Sequence, residues 1–477
     1  MSKRRKKLPE PRTATIDDMA HDGRGIAHVE GKTVFIHRAL PGEEVLFRYC
    51  RTRGKFDEGD VLEVIRPSPQ RVEPRCAHFG ICGGCSLQHL GAEDQIAVKQ
   101  RHLLNNLRNI GRVKPQTVLL PLTAGSWGYR RKARLGVKYM RRDRVVRVGF
   151  RERSSSFLAN LQRCEVLHPR IGEHVDELSA LVGKLSIKDQ IPQIEVAVGD
   201  DNVQGRASVA GGTAPGMEEP GRSRKPELRM PEATNAALVF RHLADLNEVD
   251  LDLLRDYGRE RNLIIFLQSG GPKTIIRLWP EGEEGSVLGY RLADYDVEMQ
   301  FRPTDFTQVN AELNRKMIDR AIELLDPQPG ERILDLFCGL GNFSLPLARK
   351  ADHVVGVEGE AGLVARAREN AARNGIDNVE FHTTDLTGDL SAEPWYGEGF
   401  DKLLLDPPRS GAPVVVANPP KPLPKRIVYV SCDPATLARD AGTLVREQGY
   451  RLVSAGVMDM FPHTGHVESI ALFELGR

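Results

Sequence analysis

Short apolar runs alternate with turns from residue 13 to about 66. Thr33-Val-Phe-Ile36, Glu44-Val-Leu-Phe-Arg48 and Val61-Leu-Glu-Val-Ile65 have strand character, punctuated by Asp22-Gly23, Glu30-Gly31 and Pro41-Gly42. The pattern predicts a small OB-like β-barrel over 13–70, behind a basic arm at 1–12. Residues 95–110 then follow a helical period, with Ile96, Leu103, Leu104, Leu107 and Ile110 on one face. The stretch 125–300 is mixed and mostly strand-like. It is interrupted at 211–234 by a segment rich in Gly, Pro and charge, expected to be a disordered surface insertion. The pattern changes near 300. A helix is predicted over 309–325, with Val309, Leu313, Met317, Ala321 and Leu325 apolar, and strands at 332–337, 354–358, 402–405 and 427–430 then alternate with helical segments. Such alternation predicts a doubly wound, Rossmann-like α/β domain over 301–477, preceded by a mixed central domain over 71–300. In sheets of this kind ligands bind at the carboxyl ends of the strands.

Hydrophobic content of 40% and charged content of 28% are ordinary for a soluble protein, and the net charge of +2 is uninformative. Its distribution is not. Residues 130–153 hold eleven Lys/Arg against Asp143 and Glu152, with Trp127, Tyr129, Tyr139 and Phe150 interleaved. That mixture suits a surface that neutralises phosphates and stacks bases; the blander reading is a solvated strand face with its aromatics turned into a core. No run of about 18 apolar residues predicts a membrane span. The basic start, Met1-Ser-Lys-Arg-Arg-Lys-Lys7, has no apolar region behind it, so a cytoplasmic protein is expected. Seven cysteines, an odd number without a secretory signal, argue against a disulfide framework.

Four segments carry chemistry. The glycine loop Asp335-Leu-Phe-Cys-Gly-Leu-Gly-Asn342 sits between a predicted strand and helix, and Glu358 closes the next strand, where it can chelate a ribose diol. Position 344 is Ser, so the third glycine of the nicotinamide fingerprint is missing, which favours S-adenosylmethionine over NAD. Asp385, after the 379–384 segment, is placed to accept from an adenine amino group. Leu405-Asp406-Pro-Pro-Arg409 lacks the aromatic that amino-group methyltransferases use to stack a base. Cys432 ends the apolar run Arg426-Ile-Val-Tyr-Val-Ser-Cys432, ahead of a Pro-led helix, where a lowered pKa and a nucleophilic thiolate are expected. Phe461-Pro-His-Thr-Gly-His-Val-Glu468 supplies a candidate base, Glu468, with His463 and His466 read as loop-structuring and Cys338 as a buried filler. Carbon-5 of a pyrimidine becomes nucleophilic once a thiolate adds to carbon-6, and a base must then remove its proton; Cys432 and Glu468 meet those needs on a flipped-out base. Finally, Cys76, Cys82 and Cys85 fall within ten residues and mark a metal site. Zinc and iron–sulfur both fit that spacing, and His78, His89 and Cys164 are all candidate fourth ligands.

These motifs closely resemble the RNA (uracil-5)-methyltransferases over nearly the whole chain, and within them the iron–sulfur members that modify 23S ribosomal RNA. The resemblance rests on Phe306-Thr-Gln-Val-Asn310, Asp335 to Phe343, Asp406-Pro-Pro-Arg-Ser-Gly411, Val430-Ser-Cys-Asp-Pro434 and His463 to Glu468. It implies S-adenosylmethionine contacts at Gln308, Phe337, Asn342, Glu358, Asp385 and Asp406, with Cys432 as nucleophile and Glu468 as base. It also implies Cys164 as the fourth ligand of a [4Fe–4S] cluster with Cys76, Cys82 and Cys85. The 13–66 segment resembles a TRAM domain. Barrel and cysteine cluster together point to 23S ribosomal RNA rather than transfer RNA, bound by a monomer. Two departures stand out: Cys432-Asp-Pro434 replaces the usual Cys-Asn-Pro, and Asp385 is often Asn. Rival readings are the same chemistry on transfer RNA, a non-catalytic iron–sulfur RNA-binding module and a nicotinamide-dependent oxidoreductase.

Overall fold

The computed structural model describes residues 8–200, 236–282 and 288–476. The expected insertion at 211–234 and the first seven residues of the basic arm lie outside them. Among the described residues no helix is long and apolar enough to cross a membrane.

Three large sheets and one two-stranded sheet organise the described residues. The first has six strands in the order Arg12–Thr15, Glu44–Thr52, Phe56–Arg66, Lys32–His37, Gly25–Val29, Asp18–Met19. Ile16 N donates to Glu43 O and Asp17 N to Ile26 O, so one short segment bonds both edges and curls the sheet around Ala27, Val34, Ile36, Val45 and Phe47. Its first strand pairs Arg12 with Phe47, so the end of the segment read as a basic arm is already in the sheet.

The second sheet runs Ile275–Trp279, Ile264–Gln268, Ala236–Arg241, Gln193–Val198, Lys132–Met140, Val145–Gly149. The helices Val175–Lys184 and Glu248–Arg261 cover it, burying Leu178, Val182 and Leu254 against Leu135, Ile194, Leu238 and Phe240.

The third sheet has eight strands in the order Val379–Thr383, His353–Glu358, Arg332–Leu336, Lys402–Leu405, Arg426–Ser431, Glu468–Leu475, Tyr450–Met458, Thr117–Val118. The first five are parallel; the four after the half-buried edge strand Val379–Thr383 are largely buried, hence their Val/Ile/Leu-rich runs. The chain reverses direction across the sheet between Arg332–Leu336 and Lys402–Leu405, opening a crevice at their carboxyl ends.

This layer is not confined to residues after 301. The helix Ala92–Asn106 buries Ile96 and Leu103 in the same core as Leu403, Tyr429 and Leu437. The hairpin of Leu288–Leu292 and Val297–Phe301 packs with Leu313 and Met317, and Thr117–Val118 extends the sheet edge. Ile110 departs from the expected apolar face and is exposed. After Asn106 the helix widens into a π-turn, Leu107–Gly111, whose extra residue per turn rotates Ile110 off the stripe.

Candidate active site

The register of one antiparallel pair brings the candidate nucleophile and base together. Arg426–Ser431 and Glu468–Leu475 pair antiparallel with Ser431 opposite Ser469, so the residue leaving one strand, Cys432, comes beside the residue entering the other, Glu468. The strand Tyr450–Met458 pairs Met458 with Glu468, which fixes Glu468 from its other side. Asp433 caps the helix Pro434–Arg446, its Oδ1 accepting from Ala435 N (2.9 Å) and Thr436 N (3.2 Å). Aspartate and asparagine cap about equally well, so this departure from Cys-Asn-Pro preserves the turn that presents the thiol.

The site is acidic and dry. Burial pushes Glu468 up to about 8, helped by Asp406 and opposed by Arg409 and Lys99. Asp406 is raised to about 7 by burial and by Glu358. The expectation of a depressed thiol pKa is corrected here: burial, then Glu468 and Asp406, push Cys432 up to about 11. Position at a helix start does not overcome two neighbouring carboxyl groups and poor solvation.

Cys432 opens onto a cleft of about 620 Å³ whose walls come from distant parts of the chain: His21 and Asp22 of the barrel, Gly83 and Ser86 of the cysteine loop, His102 and Asn106 of the Ala92–Asn106 helix, and Arg409 and His466. The loop leading to Glu468 is pinned from several directions. Lys99 Nζ, buried, donates to Asp459 Oδ1 (2.6 Å) and Phe461 O (3.0 Å). Ser86 N and Leu87 N donate to His463 O (2.8 and 2.9 Å), and Tyr129 Oη donates to Pro462 O (3.2 Å). His463, at φ 66°, stacks on Trp127 with ring centroids 4.0 Å apart. The aromatics of the basic segment therefore brace this loop or, as with Tyr139 and Phe150, pack on the central core, while Arg134 and Arg141 stay exposed.

The nucleoside-type crevice lies on the neighbouring strands. Leu336 pairs with Val357 on one side and Leu405 on the other, which gathers Phe337, Glu358 and Asp406 at adjacent strand ends. Gly339 and Gly341 take φ values of 58° and 93°, open to glycine with little strain. Gly339 N and Glu360 N donate to the two Glu358 carboxylate oxygens (3.1 and 3.0 Å), holding that group at the loop. Ser344, where a third glycine was missing, donates to buried Asp335. Asn342 accepts from Tyr290 Oη (2.7 Å) and exchanges amide hydrogen bonds with Asn314, and Gln308 lines a small cavity beside both of those partners. Asp385 stands apart on an exposed turn, accepting from Thr387 N (3.0 Å) and Thr387 Oγ1 (2.7 Å).

Cys76, Cys82, Cys85 and Cys164 are all free and line one small cavity together with His78 and Phe150. Among the described residues no three His, Cys, Asp or Glu side chains converge on a single metal ion. His78 Nε2 accepts from Gln162 N (3.3 Å), whereas His89 is buried against Phe79. Cys338 is buried in the hydrophobic core. Lys99, His21 and His102 escaped the sequence reading. Lys99 alone left a signal, a charged residue on the apolar stripe between Ile96 and Leu103.

Comparison with known proteins gives these elements a common context. The TRAM domain model matches residues 10–48, a methyltransferase domain model 327–470, and the tRNA (Uracil-5-)-methyltransferase model 238–393. The 23S rRNA (uracil(1939)-C(5))-methyltransferase RlmD of Nitrosococcus oceani is 52% identical over 100% of this chain and 98% of its own. The chain belongs to the RlmD family of 23S rRNA (uracil-C5)-methyltransferases. The Alkalilimnicola ehrlichii protein of the same name is 50% identical, covering 99% of both chains. Among solved structures, the tRNA (uracil-54, C5)-methyltransferase of Pyrococcus abyssi, in complex with S-adenosyl-L-homocysteine, shares the fold with a TM-score of 0.66 at 23% identity, over 97% of this chain and 100% of that one. An enzyme named for transfer RNA thus matches nearly the full architecture.

Proposed function

We propose that this protein methylates carbon-5 of a uridine in 23S ribosomal RNA, the position numbered 1939 in the names of its relatives, through a covalent bond between Cys432 and carbon-6. The observation that carries the reading is the strand register that sets Cys432 beside Glu468 at the mouth of the cleft, on a methyltransferase sheet. Phe337, Glu358 and Asp406 would hold S-adenosylmethionine, with Asn342 and Gln308 bounding the loop and Asp385 reaching in from its turn. When bound, S-adenosylmethionine supplies the electrophilic methyl group that carbon-5 takes. Cys432 Sγ bonds carbon-6 of a flipped-out uracil and makes carbon-5 electron-rich. Glu468, as the carboxylate, then takes the carbon-5 proton, the Sγ–C6 bond breaks and Cys432 leaves as the thiolate.

Four soft thiols around one cavity match the donor set of an iron–sulfur cluster. A [4Fe–4S] cluster on Cys76, Cys82, Cys85 and Cys164 would tie the loop bonded to His463 O to the central domain. The chemistry at uracil needs no electrons from it, so its role is structural. Working on ribosomal RNA, the protein acts in the cytoplasm as a monomer.

The test is methyl transfer from labelled S-adenosylmethionine to unmodified RNA, with wild type and Cys432→Ala. Label in 5-methyluridine of large-subunit RNA for wild type alone is the expected result, with both proteins binding RNA. Label confined to transfer RNA would move the substrate, and methylation by Cys432→Ala would overturn the mechanism.

A further inference from the structure

The cleft at Cys432 offers more room than one pyrimidine ring fills, and its outer wall carries two imidazoles that the methylation chemistry leaves unused. His21 lies on the exposed turn of the barrel between Asp18–Met19 and Gly25–Val29, and His102 lies on the helix Ala92–Asn106. Their rings are nearly parallel, 19° apart, with centroids 5.8 Å from each other. This offset geometry joins two elements into one aromatic surface and leaves ring face available for a further planar group.

His102 is held in a defined form. Asn106 Nδ2 donates to His102 Nε2 (3.1 Å) and to His102 O (3.0 Å), so Nε2 is the acceptor and Nδ1 keeps its hydrogen as a donor. The barrel turn is equally constrained. A Cβ on Gly465 would lie 2.6 Å from His21 O and 3.0 Å from Asp22 Cα, so the turn sits directly on the loop that leads to Glu468. His21 and His102 line the same cleft as Cys432, beside the space a uridine flipped toward Cys432 would enter.

Resting on the methylation reading, we propose that His21 and His102 form a stacking subsite for the base of a nucleotide that flanks the target uridine. Aromatic–base stacking tolerates any base, so the subsite grips the strand and sets its register rather than reading its sequence.

A double-mutant cycle tests this. The probe is an RNA oligonucleotide containing the target uridine, with each flanking nucleotide replaced in turn by an abasic residue. Affinities are measured for wild type, His21→Ala, His102→Ala and His102→Phe, and S-adenosylmethionine affinity checks that each variant is folded. At one flanking position the abasic change should weaken wild-type binding about tenfold, the loss expected for one stacked base. His102→Ala and His21→Ala should weaken intact RNA similarly and be insensitive to that abasic site, and His102→Phe should recover binding. Losses that add independently at every position, no loss in the alanine variants, or no RNA binding by wild type would each overturn the subsite. Methylation of the same RNA by wild type is read separately: coupled binding without 5-methyluridine would overturn the methylation reading while leaving the stacking contact in place.

Discussion

Burial pushes the Cys432 thiol up to about 11 and the Glu468 carboxyl up to about 8. The raised Glu468 has a consequence for stability. Between its ordinary 4.5 and about 8 the folded protein keeps a proton that the unfolded chain has released, so stability falls as pH rises through that window. Glu468→Gln removes that titrating group. Its melting temperature should fall less than that of wild type between pH 5 and pH 8.5, as read by calorimetry; equal slopes would refute a raised Glu468.

At the scale of elements, two devices present the proposed nucleophile and the proposed base. The Asp433 cap fixes the start of Pro434–Arg446. Asp433→Ala should cost about 1 kcal/mol in urea unfolding, and Asp433→Asn close to nothing. The helix Ala92–Asn106 reaches the loop before Glu468 through Lys99 and Asp459. Lys99→Met would leave a buried carboxylate unpaired and should cost about 3–5 kcal/mol, with Lys99→Met/Asp459→Leu regaining most of it. Sequence periodicity anticipated these elements well where they bury a continuous face: the strands around Val34, Val45 and Leu334, and the helix carrying Leu313, Met317 and Leu325, fall where the apolar pattern puts them. It failed where backbone geometry overrides pattern. Ile110 obeys the helical period in sequence, yet the π-turn turns it to solvent. Nor does a period tell which apolar stripe packs where, and so the Ala92–Asn106 helix was assigned to the central segment although it lies in the core of the third sheet.

Across the whole molecule, barrel, cysteine loop, basic segment and catalytic sheet meet at one loop, 459–467, held by Lys99, Ser86 N, Leu87 N, Tyr129 and Trp127. The cysteine loop is thus in direct contact with the catalytic loop. Cys85→Ser should abolish iron content and visible absorbance and reduce RNA methylation, while S-adenosylmethionine binding is kept; full iron retention would remove Cys85 from the ligand set. The residues with distinctive chemistry were legible in the chain itself, because a thiol, a carboxylate or a glycine loop needs a particular residue type in a particular local setting. Cys432, Glu468, Glu358 and the clustered Cys76, Cys82 and Cys85 stood out that way, whereas Cys164 was implied only by the family resemblance. What the sequence could not decide was their surroundings. Protonation of Cys432 depends on burial and on Asp406 and Glu468, which approach it only through strand pairing. The cleft wall joins His21 to His102, and the buried ion pair joins Lys99 to Asp459, across separations that no local pattern encodes. Residue identity sets which reactions are available, whereas solvation and charge, which set the pKa values and the shape of the cleft, exist only once distant segments have packed.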